Sequence, residues 1–224
     1  MADTLSEWAE RVQRETYEFW KENYQDYTPG FQVWYGPVNE SKTTLILGIQ
    51  PGGGERDFTT DRDRFNKGDF SLHKQHDYLT SDYNLASATR RVVPEEIIRQ
   101  SVKTNLNFFR APNEANWATS MDADSRRDIE EYCIQRVNEL VQLLNPDLII
   151  TEGTASVYDK LRSMWEFSTD TERTHQVGNR EERLYCVSQD RDRAIVGLKH
   201  PSSGRGLEEG DYQLMNQAIE EIIH

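Results

Sequence analysis

Three short, continuously apolar segments constrain this chain more than any other feature. They are Thr43-Thr-Leu-Ile-Leu-Gly48, Asp147-Leu-Ile-Ile-Thr151 and Ala194-Ile-Val-Gly-Leu198. None alternates apolar with polar residues, so none suits a strand with one face in water. Runs of this length read as strands buried on both faces. Between them lie stretches with apolar residues at helical spacing. Residues 5–24 carry Trp8, Val12, Tyr17 and Trp20, and residues 125–144 set Ile129, Cys133, Val137, Leu140 and Leu144 on one stripe behind Ser125 as N-cap. Shorter helices are expected from Pro94, over 154–164 and over 208–223. Further strands are expected at 31–35, at 104–109 and, antiparallel or at an edge, at 184–187. This alternation predicts an α/β fold, one domain spanning residues 1–224, built as a three-layer α/β/α sandwich around a central, mainly parallel sheet of about four strands.

In such sheets a ligand lies beyond the carboxyl ends of the strands. That rule selects residues 48–54, 105–113, 151–154 and 199–206, where the polar and glycine-rich departures from the apolar pattern fall. Residues 52–91 read as a long polar insertion, too long for an ordinary connection.

The chain has 224 residues and a formal net charge of −13, which argues against a wholly basic nucleic-acid binder and leaves room for a small cationic mouth on an acidic body. Its basic residues are mostly arginine, whose planar fork suits phosphate, although salt-adapted proteins share that skew. Cys133 and Cys186 lack metal or redox spacing and are expected to be buried free thiols. His73 and His76 have no third ligand nearby and belong to a polar loop in this reading. No stretch approaches the roughly 18 apolar residues of a membrane span. The acidic, amphipathic N-terminus reads as mature protein, so the cytoplasm is the expected compartment.

Two of the selected segments resemble signature loops of the uracil-DNA glycosylase superfamily. Gly48-Ile-Gln-Pro-Gly52 is similar to the loop that holds the hydrolytic water beside the sugar, and His200-Pro-Ser-Ser-Gly-Arg205 resembles the loop that enters the minor groove and stabilises the leaving base. Between them, Lys103-Thr-Asn105-Leu and Arg110-Ala-Pro112 resemble the segment whose Asn reads the flipped base. The resemblance spans residues 48–205. It implies a monomeric enzyme that works on double- or single-stranded DNA, without metal or organic cofactor. Gln50 and His200 would be catalytic; Gly48, Ile49, Pro51, Gly52, Phe65, Asn105 and Glu152 would bind the substrate; Ser202, Ser203 and Arg205 would grip the DNA. The rims at Pro51 and Pro201 would then face each other across a slot for an extruded nucleotide.

The chemistry fits those residue types. Breaking the glycosidic bond builds negative charge on the departing base, and His200 can offer an N–H to it. The Asn105 amide carries both an acceptor and donors, as a pyrimidine edge requires, with Asn107 competing for the role. Phe65 would stack on the flipped base, with Phe58 and Phe70 as rivals, each also suited to pinning the chain to a core. Arg205 would fill the gap left in the stack, or be a surface residue of a Gly-Arg-Gly turn.

The sequence also departs from the family. Gln50 stands where efficient members have Asp or Asn, and it can orient water but cannot take its proton. Gly52 replaces a tyrosine that excludes groups on C5, which predicts tolerance of thymine or larger 5-substituted pyrimidines. Glu152 is expected to cap the following helix, or else to accept from an exocyclic amine. The segment around Thr104 and Arg110 is closest to the iron–sulfur branch, but two cysteines cannot hold that cluster. Rival readings are excision of hypermodified cytosine from foreign DNA, a non-catalytic DNA reader, and a nucleotide-binding enzyme that cradles phosphate on Gly52-Gly-Gly54.

Overall fold

The structure is a computed structural model that describes residues 4–190, 193–202 and 206–223. In chain order the elements are α1 (Leu5–Asn23), β1 (Thr44–Gly48), α2 (Glu55–Asn66), α3 (Asp77–Thr80), α4 (Asn84–Arg90), α5 (Glu95–Arg99), β2 (Ser101–Asn105), α6 (Glu114–Ala118), α7 (Ala123–Leu144) and β3 (Leu148–Glu152). A π-helical turn (Thr154–Tyr158) then runs into α8 (Asp159–Trp165), followed by β4 (Thr171–Val177), β5 (Arg180–Asp190), β6 (Arg193–Leu198) and α9 (Glu209–Ile223).

Among the described residues the strands form one six-stranded sheet in the order β2-β1-β3-β6-β5-β4. The three apolar segments become β1, β3 and β6. They run parallel, with Leu47, Thr151 and Gly197 in one row across them. The Thr43 and Thr44 amides both donate to the Gln100 carbonyl, so β1 and β2 start side by side. Beyond β6 the sheet turns antiparallel through β5 and β4. The sheet thus exceeds the expected four strands by this ribbon. β4 reads Thr-Glu-Arg-Thr-His-Gln-Val with both faces largely open to solvent, so it carries no apolar alternation that could announce a strand.

The chain divides into two compact units. One holds the residues up to 41, 50–74 and 103–145; the other holds 42–49, 75–102 and those from 146 onward. In the first unit an aromatic core gathers Trp8, Trp34, Phe31, Phe58, Phe65 and Phe109, all buried. Gly30 sits at φ +63, and a Cβ there would lie 2.1 Å from the Phe58 ring, so glycine is required on both counts. In the second unit the core is the apolar ladder of β1, β3 and β6. There the Tyr158 ring lies against Gly197, where a Cβ would come within 2.7 Å of it.

Several boundaries differ from the sequence reading. Residues 31–35 form no strand; Phe31 makes an isolated antiparallel bridge to Phe109, and the backbone of its neighbours is satisfied by Lys103, Thr104 and Phe108. β2 covers Ser101–Asn105 rather than 104–109. Residues 106–109 are apolar because they are buried, while Asn107 turns the chain by accepting from the Phe109 amide at 2.9 Å. The N-cap of α7 is Asp122, whose carboxylate accepts from the Ser125 amide at 2.9 Å, so Ser125 lies in the first turn. Residues 52–91 are not one loop: α2, α3 and α4 occupy much of them, with Phe58 and Phe65 of α2 two helical turns apart on its buried side. Among the described residues no helix is long and apolar enough to cross a membrane.

Candidate active site

Within the second unit, β1 and β6 pair in parallel with β3 on its two sides. Their carboxyl ends therefore emerge at one edge of the sheet. Adjacent strands lie about 4.8 Å apart, so the ends of β1 and β6 are separated by about 10 Å. Gly48, buried, and Ile49, half-buried, leave that edge from β1; Lys199 and His200 leave it from β6. Glu152 stands between them at the end of β3, paired with Leu198.

Glu152 is 1 % exposed, and its two carboxylate oxygens accept from the hydroxyls of Tyr78 and Thr89, each at 2.9 Å. Burying a carboxylate without such donors would be costly. The expected helix cap is therefore corrected. The π-helical turn that follows takes Gly153 as its N-cap with no side-chain bond, because Glu152 is drawn instead towards α3 and α4. Gly153, at φ +139, donates its amide to the Leu198 carbonyl at 2.9 Å and so fastens the end of β3 to that of β6. His76 belongs to the same buried group. Its Nδ1 accepts from the Tyr78 amide as the cap of α3, and its Nε2 lies 3.2 Å from the Ser101 hydroxyl. Among the described residues no three His, Cys, Asp or Glu side chains are grouped as a metal site.

His200 is half-buried, with Nδ1 3.1 Å from the Ser202 hydroxyl. The loop it begins is held on both sides. The Lys199 amide donates to the Leu184 carbonyl at 2.7 Å, and the Pro201 carbonyl accepts from the Tyr212 hydroxyl at 3.2 Å. Ser203 and Arg205 lie outside the described residues.

Gln50, Pro51, Gly52, Phe65 and Asn105 belong to the first unit. There the Arg110-Ala111 backbone and the Arg110 side chain clamp the Gln50–Gly52 segment. The Ala111 amide donates to the Pro51 carbonyl at 3.0 Å, and Arg110 reaches the Gly52 carbonyl at 2.8 Å and Gln32 at 2.7 Å. Gln50 is half-buried and directs Nε2 to the Ala111 carbonyl at 3.4 Å. Gly52 is exposed, and a Cβ built there meets nothing within 4 Å.

Asn105 is 2 % exposed, with both ends of its amide engaged: Oδ1 accepts from Lys103 at 2.9 Å and Nδ2 donates to the Tyr35 hydroxyl at 3.0 Å. Lys103 is itself buried over the Tyr35 ring. Asn107, the competing amide, has its Nδ2 buried without a protein partner. Phe65 is corrected outright. It is 4 % exposed, stacked on Phe31 and on Phe70 at 5.7 and 5.3 Å between ring centroids, and so presents no face to a base. Cys133 and Cys186 are free and buried, and burial pushes the Cys186 thiol up to about 11.

Motif reading missed Tyr78, Thr89 and the side chain of Lys199, and it placed His76 in a polar loop, whereas His76 is buried, caps α3 and meets Ser101. Each is an ordinary polar residue whose partner lies far along the chain, so nothing local marks it. No family model matches the chain, and no curated protein matches it.

Proposed function

We propose that the protein is a DNA glycosylase of the uracil-DNA glycosylase superfamily, with its sheet covered by helices on both faces. It hydrolyses the N-glycosidic bond of a pyrimidine flipped out of DNA and leaves an abasic site. One observation carries this reading. The segments that begin the two signature loops leave two parallel strands, β1 and β6, at the same sheet edge, one on either side of β3.

The chemistry follows from the groups at hand. When the Ser202 hydroxyl donates to Nδ1 of His200, the imidazole proton resides on Nε2 and forms a donor for the negative charge that develops on the base. The loop resemblance alone assigns Gln50 to the attacking water; its amide can orient water but cannot act as a base. Asn105, engaged by Lys103 and Tyr35, holds the end of β2. The open space at Gly52 favours substrates that carry a group on C5, from thymine to hydroxymethylated cytosine.

The test is a gel assay of abasic-site formation on single- and double-stranded DNA containing uracil, thymine, hydroxymethylcytosine or glucosylated hydroxymethylcytosine. Cleavage of at least one substrate is expected, with loss in His200→Ala. An undiminished rate in His200→Ala removes the leaving-group assignment. Tight binding with no abasic product from any substrate replaces the enzyme with a non-catalytic reader.

A further inference from the structure

The side chain of Lys199 is 9 % exposed, and its ammonium lies 2.7 Å from Nε2 of His175 in β4 and 2.6 Å from the Glu182 carboxylate in β5. His175, whose side chain is 8 % exposed, places Nδ1 3.3 Å from the carboxylate of Asp211 in α9. An ammonium has donors only, so Nε2 of His175 must accept. The ring is then neutral, with its proton on Nδ1, and donates to Asp211.

The network closes on the loop that carries His200. Lys199 is the residue before it, and Tyr212, beside Asp211 in α9, donates to the Pro201 carbonyl. The antiparallel ribbon and the last helix thus hold the loop through the Lys199–His175–Asp211 chain and, separately, through Tyr212. Asp211 also accepts from the Glu208 amide at 2.9 Å, which fixes the start of α9. Lys199 and His175 are largely withdrawn from water, where a hydrogen bond to a charged group is worth most, while the Glu182 carboxylate stays open to solvent.

We infer that Lys199, His175 and Asp211 are positioning residues that hold the His200-Pro201-Ser202 loop in its working geometry, the β4–β5 ribbon serving as a brace for the active-site histidine. The inference rests on the glycosylase reading only for its rate measurement. A misplacement of about 1 Å at a reacting group lowers rate by about a hundredfold. Lys199→Met and His175→Leu are therefore expected to lower kcat by about tenfold to a hundredfold while KM changes little. His175→Gln, which can both accept and donate, restores part of the rate lost in His175→Leu.

The experiment has three readouts: kcat and KM on the best substrate, amide hydrogen exchange at His200 and Ser202, and the His175 tautomer in the wild-type protein by nitrogen NMR. Faster exchange at His200 and Ser202 in Lys199→Met and His175→Leu, with a wild-type proton on Nδ1, supports the brace. Unchanged exchange in folded variants, or a wild-type proton on Nε2, overturns it. Should a variant fail to fold, the wild-type tautomer decides. Should the wild type release no base, the glycosylase reading fails by itself, and exchange and tautomer still decide the brace.

Discussion

The carboxylate of Glu152, at the carboxyl end of β3, accepts a 2.9 Å hydrogen bond from the hydroxyl of Tyr78 in α3. With the matching bond from Thr89 in α4, it anchors two short helices to the sheet edge where a ligand is expected. Neither helix is long enough to be stable alone, so this buried anchor supplies order that their own length does not.

Breaking the anchor should therefore register as lost stability. Glu152→Ala removes the carboxylate that accepts from two buried hydroxyls and is expected to cost about 3 kcal/mol, against about 1 kcal/mol for Glu152→Gln, which keeps one acceptor. Urea unfolding of the two variants beside the wild type measures the difference. Equal midpoints for all three would show that the anchor contributes nothing.

Phe65 offers a clean contrast between a core residue and a base-stacking one. Enclosed between Phe31 and Phe70, it should cost about 3–5 kcal/mol when replaced by alanine. An exposed stacking ring would cost well under about 1 kcal/mol. Thermal unfolding of Phe65→Ala separates the two.

Asp159 gives a pH-dependent prediction. Hydrogen bonds from the Arg183 guanidinium hold its carboxyl below the ordinary value, more than burial raises it. A carboxyl depressed in the folded state stabilises it fully above the unfolded value of about 3.9, and that contribution fades as pH falls through the folded value. The gap in melting temperature between wild type and Asp159→Asn should be widest near about pH 7 and shrink steadily as pH falls below the unfolded value of about 3.9. A gap that stays constant across that range would refute the coupling.

Gly52 separates fold from specificity. Its Cβ position is open and its backbone lies outside the left-handed region, so Gly52→Tyr should change stability by less than about 0.5 kcal/mol. Under the proposed function the new ring walls off C5, and release of thymine and hydroxymethylcytosine should fall relative to uracil. Parallel loss of all substrates, or of none, would show that residue 52 does not border the base.

The sequence alone determined the strands of the parallel core, because β1, β3 and β6 are apolar without interruption and only full burial explains such runs. It also determined α1, whose amphipathic stripe is complete, and the loops that follow β1 and β6, since glycine, proline and histidine interrupt those apolar runs abruptly. Tertiary structure decided the rest. β4 is polar on both faces and becomes a strand only because β5 pairs with it; Phe65 could have been ring or ligand until Phe31 and Phe70 closed over it. Glu152 and Lys199 were letters beside a motif until partners from elsewhere in the chain reached them: Tyr78 and Thr89 for one, His175 and Glu182 for the other. Local pattern reports what a residue does with water and with its neighbours in the chain. Which buried polar group satisfies which is set by contacts between distant segments, and no local period encodes them.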